Sequence, residues 1–375
     1  MKICAVICEY NPFHNGHKYQ IELAKCNFDA VLCVMSGSFT QRGEVAIFDK
    51  WTRAKAAVLS GADLVLELPV RYSLSSANGF AKGAVELISA TGIVDALLFG
   101  SEENDINKLS QAADILSSET PEISKKIKEL LAEGMSYPMA RQTAFSGLID
   151  ADLLAKPNNI LAIEYISALK QKKSNIVPIT HARTVGHSDK TEASGYASAS
   201  LIREKIKKSE DISYLTPFDF SGCEIYDTNC LTDIFKFLLI AKGNMLFSAV
   251  PDAETGLLNR FLKAVNLDSF DDIIDASITK RYTRSYLKRI ALRAILGIDG
   301  GFLPPQYLRV LAANDAGREM LAIMKKEAAL PIVTKVADFP KELLAEDIRA
   351  TDVAALCTYP QQKKGRDFLI SPIML

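Results

Sequence analysis

Two histidines stand three residues apart in His14-Asn15-Gly16-His17, and a chain with only four histidines places half of them there. Imidazoles at this spacing share a helix face. An apolar, strand-like run from Ile3 to Cys8 precedes them. Between lies Glu9-Tyr10-Asn11-Pro12-Phe13, where Asn-Pro marks a turn. Helix-like sequence from Lys18 to Lys25 follows. Strand, turn, histidine pair and helix put both rings where a helix N-terminus opens above a sheet. Free backbone N–H groups, the positive end of the helix dipole and two imidazole donors suit an anion there, above all a phosphate. Gly16 leaves room for a flat or bulky ligand against the backbone. Two histidines that merely share a helix face are the plainer reading of the same spacing. A metal reading has less support, because no third His, Cys or carboxylate stands at a ligand-like spacing nearby.

The whole window, Asn11-Pro12-Phe13-His14-Asn15-Gly16-His17, resembles the HxGH signature of nucleotidyltransferases, enzymes that attack the α-phosphate of ATP and release pyrophosphate. The elements that must position such a site are legible around it. Ala30 to Met35, Asp63 to Leu68 and Val94 to Phe99 are further apolar runs of strand length, and Asp49 to Ser60 and Ser76 to Ala90 carry helical periodicity between them. Continuous apolar strands separated by helices predict a parallel sheet covered on both faces. Helical stretches follow from Asn104 to about Gly147 and from Asn159 to Lys172. A last strand-like run, Asn175 to Thr180, precedes a helix opening near Ser198 or Ser200. The sheet is expected to close near residue 205. Lys207 to Cys223, with Pro217 and Gly222, is looser and holds the expected boundary. The remainder reads as mainly helical, with clustered positive charge.

Composition bounds the class. At 375 residues and 48% hydrophobic, the chain fits about two domains with a sizeable interior. No uninterrupted apolar run reaches the ~20 residues of a membrane span. Met1-Lys2-Ile3-Cys4 leads straight into a strand without the cleavage pattern of a signal peptide. The seven cysteines (Cys4, Cys8, Cys26, Cys33, Cys223, Cys230, Cys357) are scattered, with no Cys-x-x-Cys pair. They read as reduced thiols of a cytoplasmic protein rather than disulfides or zinc ligands. The net charge of −1 means that nucleic acid must be held by a local patch, if at all.

Open parallel sheets bind ligands beyond the carboxyl ends of their strands, where strand order reverses. Three loops fall there: the histidine loop, the polar Ser36-Gly37-Ser38-Phe39-Thr40-Gln41-Arg42-Gly43-Glu44, and Phe99-Gly100-Ser101-Glu102. A fourth candidate is Ala197-Ser198-Ala199-Ser200-Leu201-Ile202-Arg203, a helix start with an arginine one turn in; it is similar to the second phosphate-contacting motif of nucleotidyltransferases. Each alone is also an ordinary turn or cap.

With these loops the resemblance narrows. Val6 to His17, Met35 to Glu44, Gly61-Ala62-Asp63-Leu64-Val65-Leu66-Glu67-Leu68-Pro69, Phe99 to Glu102, Pro157-Asn158-Asn159-Ile160-Leu161 and Arg366-Asp367-Phe368 occur in order along the chain. Together they resemble the bacterial tRNA(Met) cytidine acetate ligase family over its full length. With the element pattern above, the resemblance leads to an expected α/β fold: a Rossmann-like parallel-sheet nucleotidyltransferase domain over 1–205, followed by a mainly α-helical, tRNA-binding domain over 206–375. It implies a ligase that activates free acetate, not acetyl-CoA, as acetyl-adenylate and acetylates the wobble cytidine of elongator tRNA(Met) to N(4)-acetylcytidine. AMP and pyrophosphate leave. Mg²⁺ should accompany ATP, held by phosphate oxygens and water. Neither a protein partner nor a membrane is expected.

The same resemblance implies the site. His14 and His17 act on the phosphates, and Ile7, Cys8, Glu9, Tyr10, Asn11, Pro12, Phe13, His14, Asn15, Gly16, His17, Lys18, Tyr19 and Gln20 line the ATP pocket. Gly100, Asn158, Arg183 and Thr184 join them, and Arg203 supplies charge from the opposite side. Asn159 rivals Asn158, since either amide would serve.

The RNA needs its own surface. Lys280, Arg281, Arg284, Lys288, Arg289 and Arg293 fall within fourteen residues without an acid among them, and Tyr282 and Tyr286 interleave. Lys280, Arg284 and Lys288 repeat at i, i+4 and would share a helix face able to track phosphates, with tyrosines placed to stack on bases. A solvated basic helix would look the same. Two other classes fit parts of the pattern. A nucleotidyltransferase acting on a small molecule would not need the basic helical region, and a non-catalytic nucleotide- or RNA-binding protein would not need the paired histidines.

Overall fold

The computed structural model describes residues 1–118, 120–183 and 195–375. Five parallel strands form its centre: β1 (Ile3–Cys8), β2 (Ala30–Ser36), β3 (Leu64–Leu68), β4 (Ala96–Ser101) and β5 (Val177–Ala182). They lie in the order β5-β4-β1-β2-β3. β2 and β3 are buried at every position, as strands must be when helices cover both faces of their sheet. Alternate side chains serve opposite layers. Leu32 and Val34 pack with Phe80, Leu87 and Ile163, while Cys33 and Met35 pack with Phe13, Ile21 and Trp51. The helices open on side-chain caps: Asp49 accepts from Thr52 N–H at 2.7 Å for Lys50–Leu59, and Ser76 from Gly79 N–H at 3.4 Å for Ala77–Ala90. These strands and helices begin and end within two residues of where the sequence placed them.

From β1 the chain steps outward through β2 to β3, then returns to the other side of β1 for β4 and β5. Strand order therefore reverses between β1 and β4, and their carboxyl ends diverge into a crevice. Cys8 ends one of these strands, and Gly100 and Ser101 end the other.

The sheet does not close near residue 205. β6 (Leu308–Ala313) pairs antiparallel with β3, and β7 (Ile332–Val333) and β8 (Ile373–Met374) both pair with β6. The expected mainly helical region over 206–375 therefore divides. Residues 228–296 are helical around Phe235, Phe261, Phe270 and Leu287, whereas 308–374 returns to the sheet. Without β6, the apolar β3 would be an open edge. The strand was hard to read because Arg309 interrupts its apolar run, yet Arg309 is only 3% exposed. It bonds Glu67 at 3.1 Å and Asp367 at 2.7 Å, and Lys50 bonds the same two carboxylates at 2.8 and 2.9 Å. Two cations and two anions thus close a buried square. Burial pushes the Asp367 carboxyl up, but Lys50 and Arg309 outweigh it and hold it at about 2. Among the described residues no helix is long and apolar enough to cross a membrane.

Candidate active site

The chain leaves β1 through the Asn11-Pro12 turn and enters the helix Asn15–Lys25, whose N-cap is His14. Nδ1 of His14 accepts from Gly16 N–H at 3.1 Å, and Nδ1 of His17 accepts from His14 N–H at 3.3 Å. The histidines form a reciprocal capping box and stack with ring centroids 3.6 Å apart. Burial, then Arg183 and Arg203, pushes His14 down to about 3; burial, then His14 and Arg183, holds His17 well below the usual imidazole range. Both rings are therefore neutral. Because each Nδ1 accepts, the remaining proton sits on Nε2, and each ring keeps an uncharged N–H donor for the cavity it lines.

The backbone is not the anion site that the sequence suggested. The N–H groups of Asn15, Gly16, His17 and Lys18 are already bonded, to Leu215 O, His14 Nδ1 and twice to His14 O. Gly16 has a second task besides the expected one. A Cβ there would lie 3.0 Å from Cε1 of His14, so its smallness lets the imidazole fold back over the helix start, and Gly16 also lines the cavity.

Other side chains of the segment divide between wall and frame. Ile7, Cys8, Glu9, Tyr10, Asn11, Tyr19 and Gln20 line the cavity. Pro12, Phe13, Asn15 and Lys18 do not line it. Phe13 is buried against Tyr10, Asn15 ties the loop to Gly195 O and Tyr214 O at 2.9 Å each, and Lys18 pairs with Glu22. One framing residue escaped the sequence reading. Arg53 is fully buried and donates to Glu9 O at 2.6 Å, Phe48 O at 2.9 Å, Ser36 O at 3.1 Å and Gly37 O. Its guanidinium collects the carbonyls that β1 and β2 leave behind. An arginine on the buried face of the Lys50–Leu59 helix was the available signal.

The opposite wall comes from β4, β5 and two helices. Asn158 lines the cavity and accepts from Arg183 at 3.2 Å. Its rival Asn159 is fully buried, accepting from the N–H groups of Glu102 and Glu103 at 2.9 and 3.0 Å, and so braces the loop instead. Gly100 lies under Arg183 and His181. Thr184 falls outside the described residues. Ser198 caps the helix Ala199–Lys207, and from its second turn Arg203 donates to Asn11 O at 2.8 Å, with Glu44 at 3.5 Å. The histidines and these arginines line one cavity of about 930 Å³.

Comparison with known proteins agrees with this geometry. Residues 1–367 match the family model described as HIGH Nucleotidyl Transferase. The tRNA(Met) cytidine acetate ligase of Clostridium perfringens (strain ATCC 13124) is 35% identical over 402 residues, covering both chains completely. That of Thermoanaerobacter sp. (strain X514) is 38% identical over 98% of each. The chain belongs to the tRNA(Met) cytidine acetate ligase family. A solved structure of Thermotoga maritima TmcAL bound with alpha-thio ATP superposes with a TM-score of 0.89 at 34% identity, and its apo form with 0.91 at 33%, each over the whole of both chains. The fold is accordingly that of a Rossmann-like HIGH nucleotidyltransferase, and a ligase.

In this ligase the basic stretch differs from the expected phosphate-tracking face. The helix runs Arg284–Leu296, so Lys280 and Arg281 precede it. Lys288 is 3% exposed and held by Glu44 at 3.0 Å and Asp271 at 2.8 Å. Arg284 pairs with Asp275 at 2.6 Å and Asp271 at 3.2 Å, and Arg281 with Glu254. Tyr282 and Tyr286 stack on each other, centroids 5.6 Å apart, and Tyr286 lines the cavity. Acids absent from the stretch arrive from other elements. Of the six cations, Lys280, Arg281 and Arg284 are exposed, and Arg281, Arg289 and Arg293 line the cavity.

Proposed function

We propose that the protein is an ATP-dependent ligase that joins acetate to the α-phosphate of ATP and passes the acetyl group to the wobble cytidine of elongator tRNA(Met). The products are N(4)-acetylcytidine, AMP and pyrophosphate. One observation carries the reading: two neutral, stacked imidazoles with Nε2–H donors line a cavity at the β1/β4 crossover with Arg183 and Arg203. An acetate oxygen must meet the α-phosphorus in line while charge grows on the departing pyrophosphate. Fixed donors and guanidiniums suit that task, because positioning and electrostatic stabilisation provide most of the catalysis in such transfers. Neutral imidazoles can donate throughout without gaining or losing a proton. His14, His17, Asn158, Arg183 and Arg203 are the residues we assign to ATP. Mg²⁺, which dehydrates reluctantly and keeps several waters, is assigned to phosphate oxygens and water.

The test is acetate-dependent exchange of labelled pyrophosphate into ATP without RNA, followed by transfer of labelled acetate to elongator tRNA(Met). Exchange that ignores acetate, or labelling of tRNA from acetyl-CoA without ATP, would overturn the reading.

A further inference from the structure

We propose that Arg42, Arg289 and Arg293 form a phosphate-binding pocket at the helical end of the active-site cavity, where they hold one backbone phosphate flanking the reacting cytidine of the RNA. The inference rests on the ligase reading above and adds to it the residues that seat the acceptor strand.

Arg289 and Arg293 stand four apart on the helix Arg284–Leu296, on one face, and line the same cavity as His14 and His17. Arg42 reaches that cavity from the loop after β2. A close backbone approach fixes it there. Gly43 has φ +77°, and a Cβ on it would lie 2.5 Å from Lys288 Cβ and 2.8 Å from Arg289 N. Only glycine fits, so the loop lies directly on the helix. Arg289 donates to Gln41 O at 3.2 Å, and Lys288 binds Glu44, across the same junction.

These three guanidiniums differ from the neighbouring cations. Arg281, Arg284 and Lys288 each have a carboxylate partner, whereas Arg42, Arg289 and Arg293 form no ion pair among the described residues. The acids that act on these three guanidiniums are Asp252 on Arg289 and Arg293, Glu346 on Arg293 and Glu9 on Arg42, none of them in an ion pair with the three, and Arg71 adds a further positive charge beside Arg293. Arg293 is 5% exposed; one of its amines donates to Arg71 O at 3.4 Å, but its Nε–H has no partner. A buried donor left unpaired is unfavourable, and an anion in the cavity would satisfy it. Burial and the adjacent Arg293 push Arg289 down to about 10, a repulsion that the same anion would relieve.

Geometry favours RNA as the source of that anion. The residues assigned to ATP line the crossover end, and Arg203 and Arg42 both act on the Glu9 carboxyl, so the two groups of cations adjoin in one cavity. A small acid must reach the α-phosphorus and so belongs near His14. The acceptor base must also come within bonding distance of the adenylate, and its own flanking phosphate must then lie within the cavity.

The test uses the full chain with Arg42→Gln, Arg289→Gln and Arg293→Gln, wild-type tRNA(Met), and an anticodon stem-loop carrying a neutral methylphosphonate beside the target cytidine. Each variant should lower kcat/KM for tRNA at least about tenfold and reduce the log–log salt slope of binding by about one. RNA-free, acetate-dependent pyrophosphate exchange should stay within about twofold. In the wild type the methylphosphonate should cause a comparable loss, and in Arg289→Gln it should cost little more. Arg42 lies on a half-buried loop, so its variant answers even if replacement of buried Arg293 unfolds the chain. A raised KM for acetate or ATP in the exchange reaction would place the acid or the triphosphate in the pocket and overturn the proposal. So would normal tRNA transfer by Arg42→Gln and Arg289→Gln. A wild-type enzyme that exchanges pyrophosphate but never acetylates tRNA would instead overturn the ligase reading, whatever the variants do.

Discussion

Replacing His14 with alanine removes two functions of one ring, the Nδ1 that caps the Asn15–Lys25 helix and the Nε2–H that serves the cavity. The loss of the cap alone costs about 0.5–2 kcal/mol. His14→Asn keeps a good N-cap, and His17→Gln keeps the third-position partner of a capping box. Both should melt within a few degrees of wild type and lose at least about a hundredfold in acetate-dependent pyrophosphate exchange, the scale of one lost oxyanion donor. Exchange at the wild-type rate in His14→Asn would remove the Nε2–H from the mechanism. The depressed pKa of His14 sets a second expectation. Its folded value of about 3 lies below the unfolded one near 6.5, so between them the unfolded chain takes up a proton that the native ring refuses. The resulting stability is present above about pH 6.5 and is lost as pH falls, by at most about 1.4 kcal/mol per pH unit. Acid unfolding curves of His14→Asn should be flatter than wild type in that window. Nitrogen-15 spectra at pH 6 should show both rings neutral and protonated on Nε2.

Between elements, the junction of the 40–44 loop with the Arg284–Leu296 helix shows how little a charge run says by itself. Lys280 to Arg293 reads as one basic surface, but Asp271 and Asp275 of the preceding helix, Glu254, and Glu44 from the far loop after β2 neutralise much of it. Lys288→Glu would place a carboxylate beside Glu44 and Asp271 in a buried position. It should lower the unfolding free energy by about 3–5 kcal/mol, read from the denaturant midpoint, rather than merely weaken RNA binding. Unchanged stability would mean that Lys288 is not buried in solution. Gly43→Ala should destabilise by at least about 1 kcal/mol, since alanine is strained at φ +77° and its Cβ meets the helix backbone.

Across the whole molecule, the sheet ties the two ends of the chain together. β3 is covered by β6, and the buried square of Lys50, Glu67, Arg309 and Asp367 joins residues more than three hundred apart. A fragment ending at 205 would expose one face of β3's edge and leave Lys50 and Glu67 without Arg309 and Asp367. We expect that fragment to lack a cooperative thermal transition and to exchange no pyrophosphate, although it contains every residue assigned to ATP. In the full chain, Asp367→Asn leaves two buried cations facing one carboxylate and should cost about 3–5 kcal/mol in urea unfolding. A cooperatively folded, active 1–205 fragment would show that the far edge of the sheet is dispensable.

Local chemistry determined much of this protein from the sequence alone. Continuous apolar runs, helix caps at Asp49, Ser76 and Ser198, and the Asn-Pro turn before His14 are short-range signals, so the parallel sheet and the position of the histidine loop could be read directly. Which asparagine faces the cavity was not readable, because Asn158 and Asn159 differ only in the direction each takes from one helix turn. Nor was the second role of Gly16, since the ring that packs against it belongs to a neighbour whose rotamer is set by the cap. The return of β6 to β3 and the neutralisation of the basic helix needed the tertiary structure. The strand pairing and the Glu44–Lys288 bridge join groups more than two hundred residues apart, the other acids come from neighbouring elements, and a strand edge or a charge meets such partners only when the chain has folded.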